Sequence, residues 1–219
     1  MTRLLLIFSL FVFSCSPQKK EDVQEQTTEP ATETVVEQLS NQSDILFGEV
    51  EDLFAAGNNS EAAQKLYEAA NALKSELEVT PGVSADRIDS VTFFLDEIAT
   101  KLEDETGSVT EEALVTALYK SELMAAHDYL VYSATHIENE ELEDAQEKIV
   151  HATNKMMSSA KKAATEEHRS RLNELQEETE QLMNNLETEF QKDASALRAK
   201  LEKLRSRIKE LERHILNEY

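Results

Sequence analysis

The chain has one cysteine, four glycines, three prolines and no tryptophan in 219 residues. A lone cysteine, Cys15, cannot close an internal disulfide, so the fold must hold without covalent staples. Gly48, Gly57, Gly82 and Gly107 all stand alone, whereas phosphate-cradling loops and nucleophile elbows need glycine-assisted sharp turns. Positive charge is also scarce, with 22 Lys and Arg against 44 Asp and Glu and a formal charge of −22. Such a surface repels phosphate backbones, which excludes nucleic-acid binding as the main task. Long apolar runs are missing too. The longest, Leu4 to Phe13 with Ser9 inside it, is half of the roughly 20 residues that span a bilayer, and reads as a secretory signal rather than an anchor.

The residues at the end of that run are more informative. Val12, Phe13 and Ser14 place a branched apolar residue three before Cys15 and a small one directly before it, behind a leading Arg3. This resembles the lipobox of bacterial lipoproteins, with Phe13 departing from the usual small or aliphatic residue. The resemblance implies that residues 1–14 are a signal peptide, that Cys15 is lipidated on sulfur and becomes an acylated N-terminus, and that the chain is exported and lipid-anchored to the bacterial cell envelope. An ordinary signal peptide with a stray cysteine is the alternative. At about 0.8 kcal/mol per buried CH2, more than one acyl chain gives stable attachment. Lys20, Glu21 and Asp22 come shortly after. They are similar to the surface-export signal of Bacteroidota lipoproteins, though an acid-rich chain produces such a triplet equally well by chance. The expected address is the outer membrane, with the leaflet open.

Residues 15–40 then form a Glu-, Gln- and Thr-rich stretch with Pro17 and Pro30. It has too little apolar surface to offset ordering entropy and reads as a disordered acidic tether, reaching about 25 to 30 Å as a flexible coil.

Beyond the tether the periodicity predicts an all-α fold, in which helical hairpins form a small bundle over residues 41–165 and a coiled coil occupies 166–219. Ser43 caps a helix with Leu46, Val50, Leu53 and Phe54 on one face, ended by Gly57. Asn58 with Glu61, or Ser60, caps a second with Ala62, Leu66, Ala69, Leu73 and Leu77. A third, starting at Ser84, carries Ile88, Val91, Leu95, Ile98 and Leu102. Ser108 and Glu111 stand in capping-box relation before a long fourth helix with Leu114, Leu118, Leu123, Leu130 and Ile137. A turn is expected over Glu138 to Glu141. No glycine or proline lies beyond it, so a fifth helix from about Leu142 either projects for roughly 115 Å or breaks without a strong breaker.

A weak repeat runs at an offset of 83 residues. Ala62, Lys65, Ala69, Asn71 and Ser75 align with Ala145, Lys148, Ala152, Asn154 and Ser158, and Leu66 and Leu73 with Ile149 and Met156. The spacing of small residues resembles tetratricopeptide-like helical pairs, and Ser121 to Ala164 is similar to the hairpin of YfdX-like periplasmic proteins. Any alanine-rich amphipathic hairpin gives much the same pattern.

Near the C-terminus, Leu197, Leu201, Leu204, Ile208, Leu211 and Ile215 trace a coiled-coil seam. Leu172, Leu175, Thr179, Leu182 and Leu186 keep a different phase, joined to it by a stutter. In a parallel dimer Asp193 with Arg198 and Arg207 with Glu212 attract, whereas Lys200 with Arg205 repels. Self-pairing is permitted but not dictated. Folding of this basic tail back onto the acidic bundle, or onto an acidic partner, is equally physical.

Candidate chemistry is thin. His127 and His136, nine residues apart, fall on opposite sides of one helix and cannot share a metal. His151, Glu147 and, across a hairpin, His127 are the nearest approach to a zinc set, against plainer surface or capping roles. No Glu-x-x-His pair of the di-iron kind is present. Tyr119, Tyr129 and Tyr132 read as core packing, or as a groove for an apolar ligand or helix.

No catalytic residue, metal ligand or cofactor is therefore assigned. The expected function is a non-catalytic envelope lipoprotein, held to the membrane at Cys15 and meeting a protein partner or a second copy through the seam. The alternative is a periplasmic ligand- or metal-binding helical protein.

Overall fold

The structure, a computed structural model, describes residues 42–78, 85–104 and 108–218. Cys15, the signal run and the tether lie outside the described residues, as do the expected stops at Pro81, Gly82 and Gly107 and the expected cap at Ser84. Among the described residues there are seven helices and no strand, so the fold is all-α. They are α1 (Gln42–Ala55), α2 (Asn59–Glu78), α3 (Ala85–Glu103), α4 (Glu111–Glu138), α5 (Leu142–Lys162), α6 (Glu166–Asn184) and α7 (Leu186–Glu218). None is long and apolar enough to cross a membrane.

Successive helices pack on one another from α1 through α6, and α7 then returns onto α4. The apolar stripes read from the sequence explain the early part. Leu46 and Val50 of α1, Leu66, Leu73 and Leu77 of α2, and Ile88, Val91, Leu95, Ile98 and Leu102 of α3 are all buried. Gly57, at φ 79°, supplies the left-handed residue that ends α1. The aligned positions of the repeat behave alike. Ala62, Leu66, Ala69 and Leu73 of α2, and Ala145, Ile149, Ala152 and Met156 of α5, are all fully buried, because small residues every seven let neighbouring helices approach closely.

Helix α4 departs from an amphipathic pattern. Every residue from Ala117 to Leu130 is buried, including Lys120, Glu122, His127 and Asp128. It is the central helix, with α3, α5 and α7 packed around it and α2 touching it. Its N-cap is Thr110 rather than Ser108: the Thr110 hydroxyl accepts from the Ala113 N–H at 3.2 Å. Ser43 likewise lies inside α1 rather than at its cap.

The expected long fifth helix is interrupted three times without glycine or proline. Ala163 turns extended and Thr165 caps α6, accepting from the His168 N–H at 3.1 Å. Asn185 separates α6 from α7. Within α7, Asp193 is non-helical at φ −163° and ψ 91°, and its carboxylate accepts from the N–H groups of Ser195 and Ala196 at 3.0 Å each. The chain therefore folds back instead of projecting.

Candidate functional site

The seam residues Leu197, Leu201, Leu204, Ile208 and Leu211 are all buried within the chain, where α7 lies on α4. The side chain of Ile215 lies outside the described part. Leu172, Leu175, Thr179, Leu182 and Leu186, the other phase, are buried too. Two of the basic residues expected to face a second coil, Lys200 and Arg207, find acids within the chain. Both carboxylate oxygens of Glu189 accept from Lys200 Nζ, at 2.5 and 2.6 Å, while Arg207 pairs with Glu178 and, at 3.4 Å, with Glu174 of α6. The intramolecular alternative raised by the sequence is the arrangement in this structure, and a partner reaches the seam only by displacing α7.

A charged cluster pins the far end of α7. Arg87 of α3 donates from Nε to both carboxylate oxygens of Asp128 on α4 at 3.1 Å, and from Nη1 to Glu212 of α7 at 2.9 Å. Its Nη2 also reaches the Met124 carbonyl at 3.4 Å. His127 Nδ1 lies 2.9 Å from Asp128 Oδ1. Burial opposes the charge on Arg87, but Glu212 and Asp128 outweigh it and hold the guanidinium above its ordinary value. Three helices are joined at one cation.

A second polar network crosses the interface of α1, α4 and α5. Lys155, fully buried on α5, donates to Asp44 Oδ1 at 2.5 Å and Ser43 Oγ at 2.7 Å, with Phe47 beneath its ammonium. Glu76 of α2 accepts from the Ser43 N–H and hydroxyl at 2.9 and 2.8 Å and from the Tyr129 hydroxyl at 3.4 Å. Glu122 of α4, fully buried, accepts from Ser158 at 2.7 Å and from Lys162 at 3.2 Å. Burial pushes the Glu122 carboxyl up, with Lys162, Lys155 and Ser158 opposing. Lys162 also reaches Glu51 of α1 at 3.7 Å, so α1 is seated on the bundle through charge as well as through Leu46, Phe47 and Val50.

The trio of His151, Glu147 and His127, the nearest approach to a zinc set in the sequence, does not assemble. His151 Nε2 lies 3.5 Å from Glu147, but His127 is turned to Asp128 and Arg87. Neither histidine belongs to a group of three ligand atoms close enough to share an ion among the described residues. The His151 ring lies 5.2 Å from that of Tyr129; burial draws its imidazole below the ordinary value, Lys148 and Lys155 add to this, and Glu147 opposes. Tyr119, Tyr129 and Tyr132 are buried; Tyr119 and Tyr129 belong to the apolar core, whereas Tyr132 packs on His136 with ring centroids 4.3 Å apart.

Two open grooves border α4. One of about 330 Å³ is lined by Glu111, Val115, Tyr119, Lys162 and His168 among others. The other, of about 420 Å³, lies beside Phe94 and Lys120. There Lys120 stands over the Phe94 ring at 4.9 Å, and burial lowers its pKa against the pull of Glu97.

Sequence reasoning missed Arg87, Asp128, Lys155 and Glu122. The available signal was the charge inside α4: Lys120, Glu122 and Asp128 in fourteen consecutive positions otherwise rich in apolar and small residues leave no solvated face. Within these networks the polar groups face one another across helix interfaces, an arrangement that fixes helix positions.

No protein-family model matches the chain, and neither a curated protein nor a solved structure is significantly similar to it.

Proposed function

We propose that the chain is a non-catalytic lipoprotein of the cell envelope, anchored to the outer membrane through Cys15, whose helical domain serves as an adaptor for a protein partner through its C-terminal helix. The observation that carries the adaptor reading is the state of the seam. Leu197 to Leu211 keep coiled-coil spacing yet are buried against the bundle, mainly where α7 lies on α4, held by Arg87 at one end and set off from the first turns of α7 at Asp193. A leucine seam of this kind becomes a contact surface when α7 undocks. The anchor rests on the lipobox-like residues before Cys15, and reach on the acidic tether between them and α1.

Two measurements test the reading. Expression of the full chain in a bacterium with lipoprotein-processing enzymes, supplied with a clickable fatty acid, should label the protein and lose the label in Cys15→Ser; an unlabelled wild type removes the anchor. Envelope cross-linking should capture more of a defined partner with Arg87→Ala than with wild type, and less when Leu204→Asp and Leu211→Asp are added. Equal capture by all three removes the seam as the contact.

A further inference from the structure

The turn from α4 into α5 carries a separate group of titratable side chains. His136 lies in the last turn of α4, Glu141 immediately precedes α5, and Asp144 is in its first turn. Glu140 between them takes φ 64°, a left-handed conformation uncommon in a residue with a Cβ. The chain doubles back there, and the Glu141 N–H donates to the His136 carbonyl at 2.9 Å. His136 Nδ1 then lies 2.6 Å from Glu141 Oε2 and 3.9 Å from Asp144 Oδ2, with one ligand atom of each residue within 4.8 Å of the other two.

We infer that His136, Glu141 and Asp144 form a binding site for a borderline divalent cation of the zinc(II) kind, with solvent completing the coordination. With bonds of about 2.0 to 2.1 Å, tetrahedral ligands stand roughly 3.3 Å apart, so one separation must open and the other close by about two-thirds of an ångström. The parts that must move are free to do so: the carboxylates are 47% and 59% exposed, whereas the imidazole is 13% exposed and lies 4.3 Å from the Tyr132 ring. One fixed nitrogen and two adjustable oxygens suit a cation that accepts both donor types; magnesium and calcium prefer oxygen alone.

Charge favours the same reading. Lys148, a nearby cation, is engaged by Glu147 at 2.7 Å and by the Tyr132 ring at 5.5 Å, while Glu141 and Asp144 lie against His136. The dipoles of the α4 C-terminus and the α5 N-terminus meet here and offset each other. Affinity is limited on the far side of the ring. A cation on Nδ1 leaves the ring proton on Nε2, which is buried with no hydrogen-bond partner among the described residues. That unsatisfied donor weakens binding by roughly ten- to a hundredfold.

The test is calorimetric titration of zinc(II) into the full chain, purified in mild detergent with any free thiol blocked. Wild type should bind one equivalent. His136→Ala, and separately Glu141→Gln with Asp144→Asn, should weaken binding by at least about tenfold. Circular dichroism should be unchanged in the near-isosteric carboxylate variant, which separates loss of ligands from loss of fold. Calcium(II) and magnesium(II) should bind at least about tenfold more weakly than zinc(II). No zinc binding to wild type, or equal affinity in both variants, overturns the site.

Discussion

Arg87 of α3 and Glu212 of α7, 125 residues apart, meet in a two-pronged ion pair, Nη1 to Oε1 at 2.9 Å and Nη2 to Oε2 at 3.3 Å. The same guanidinium satisfies the buried carboxylate of Asp128, so one side chain fastens the C-terminal helix to the centre of the bundle. Replacing it strands two acids of low exposure.

Arg87→Met is therefore expected to destabilise the fold by about 3 to 5 kcal/mol, the range for breaking a buried pair from one side. Glu212→Gln retains a hydrogen-bond acceptor for the arginine and should cost less, about 1 to 2 kcal/mol. Hydrogen exchange locates the effect. Amides of residues 197–214 should exchange faster in both variants while those of α1 and α2 hold their rates, because the latch touches α3, α4 and α7 only. Uniform acceleration across the chain would mean that α7 does not move as a separate unit.

The covered seam leads to a second expectation, on mass. Light scattering behind a sizing column, applied to the detergent-free domain from residue 41 or to the full chain with the detergent contribution subtracted, should give a single chain over a wide concentration range. Leu204→Asp should lower stability by about 3 to 5 kcal/mol, as burial of an unpaired charge does, without changing a mass that is already monomeric. A wild-type dimer that Leu204→Asp dissociates would instead place the seam between two chains.

The seam also marks how far the sequence could be read. Its leucines announce a buried helical face, and that face is buried; the spacing contains nothing that distinguishes α4 of the same chain from a second chain. The folding back is written in weaker characters. Thr165 and Asp193 are polar caps inside an otherwise helical stretch, and a cap gains its hydrogen bond only once the preceding helix has stopped, so neither residue alone foretells a break. The networks at Lys155, Glu122 and Arg87 were harder still, since a charge inside an apolar stripe declares that a partner is needed, but Ser43, Asp44 and Glu212 reach it from more than a hundred residues away in two of the three cases. Tertiary packing supplied those pairings.

Titration offers a third check. The folded-state pKa of His151 is depressed by burial, so its contribution is fully present above the ordinary imidazole value of about 6.5 and is lost as pH falls from there through the folded value. Wild-type stability should decline over that interval more steeply than that of His151→Gln, measured by denaturant midpoints at successive pH values. Parallel declines would mean that other groups set the acid sensitivity.

Glu122 runs in the opposite direction. Its folded-state pKa is raised by burial, so its contribution is greatest below the ordinary carboxyl value of about 4.3 and is lost as pH rises through the folded value. The stability of wild type relative to Glu122→Gln should therefore fall as pH rises from the ordinary carboxyl value through the folded one. Because the amide still accepts from Ser158 and Lys162, the variant should keep the fold throughout. A difference that stays constant with pH would show that Lys162 fully compensates the carboxylate.

The seating of α1 can be resolved by a double-mutant cycle on Lys155 and Asp44, whose pairing joins α5 to α1. Asp44→Asn leaves a fully buried ammonium with Ser43 and the attraction of Glu122, and should cost about 3 kcal/mol, the lower end for a stranded buried charge. Lys155→Met removes that ammonium and leaves Asp44, which at 19% side-chain exposure can recover part of its hydration, so the loss should be smaller, about 1 to 2 kcal/mol. Combining the two removes both charges and keeps the volume at residue 155, and replacing a buried pair in this way is often close to neutral. The double variant should consequently be more stable than Asp44→Asn alone, a sign reversal that independent sites do not produce. Additive losses would mean that α1 is held by Leu46, Phe47 and Val50 and that the ion pair contributes little to its place on the bundle.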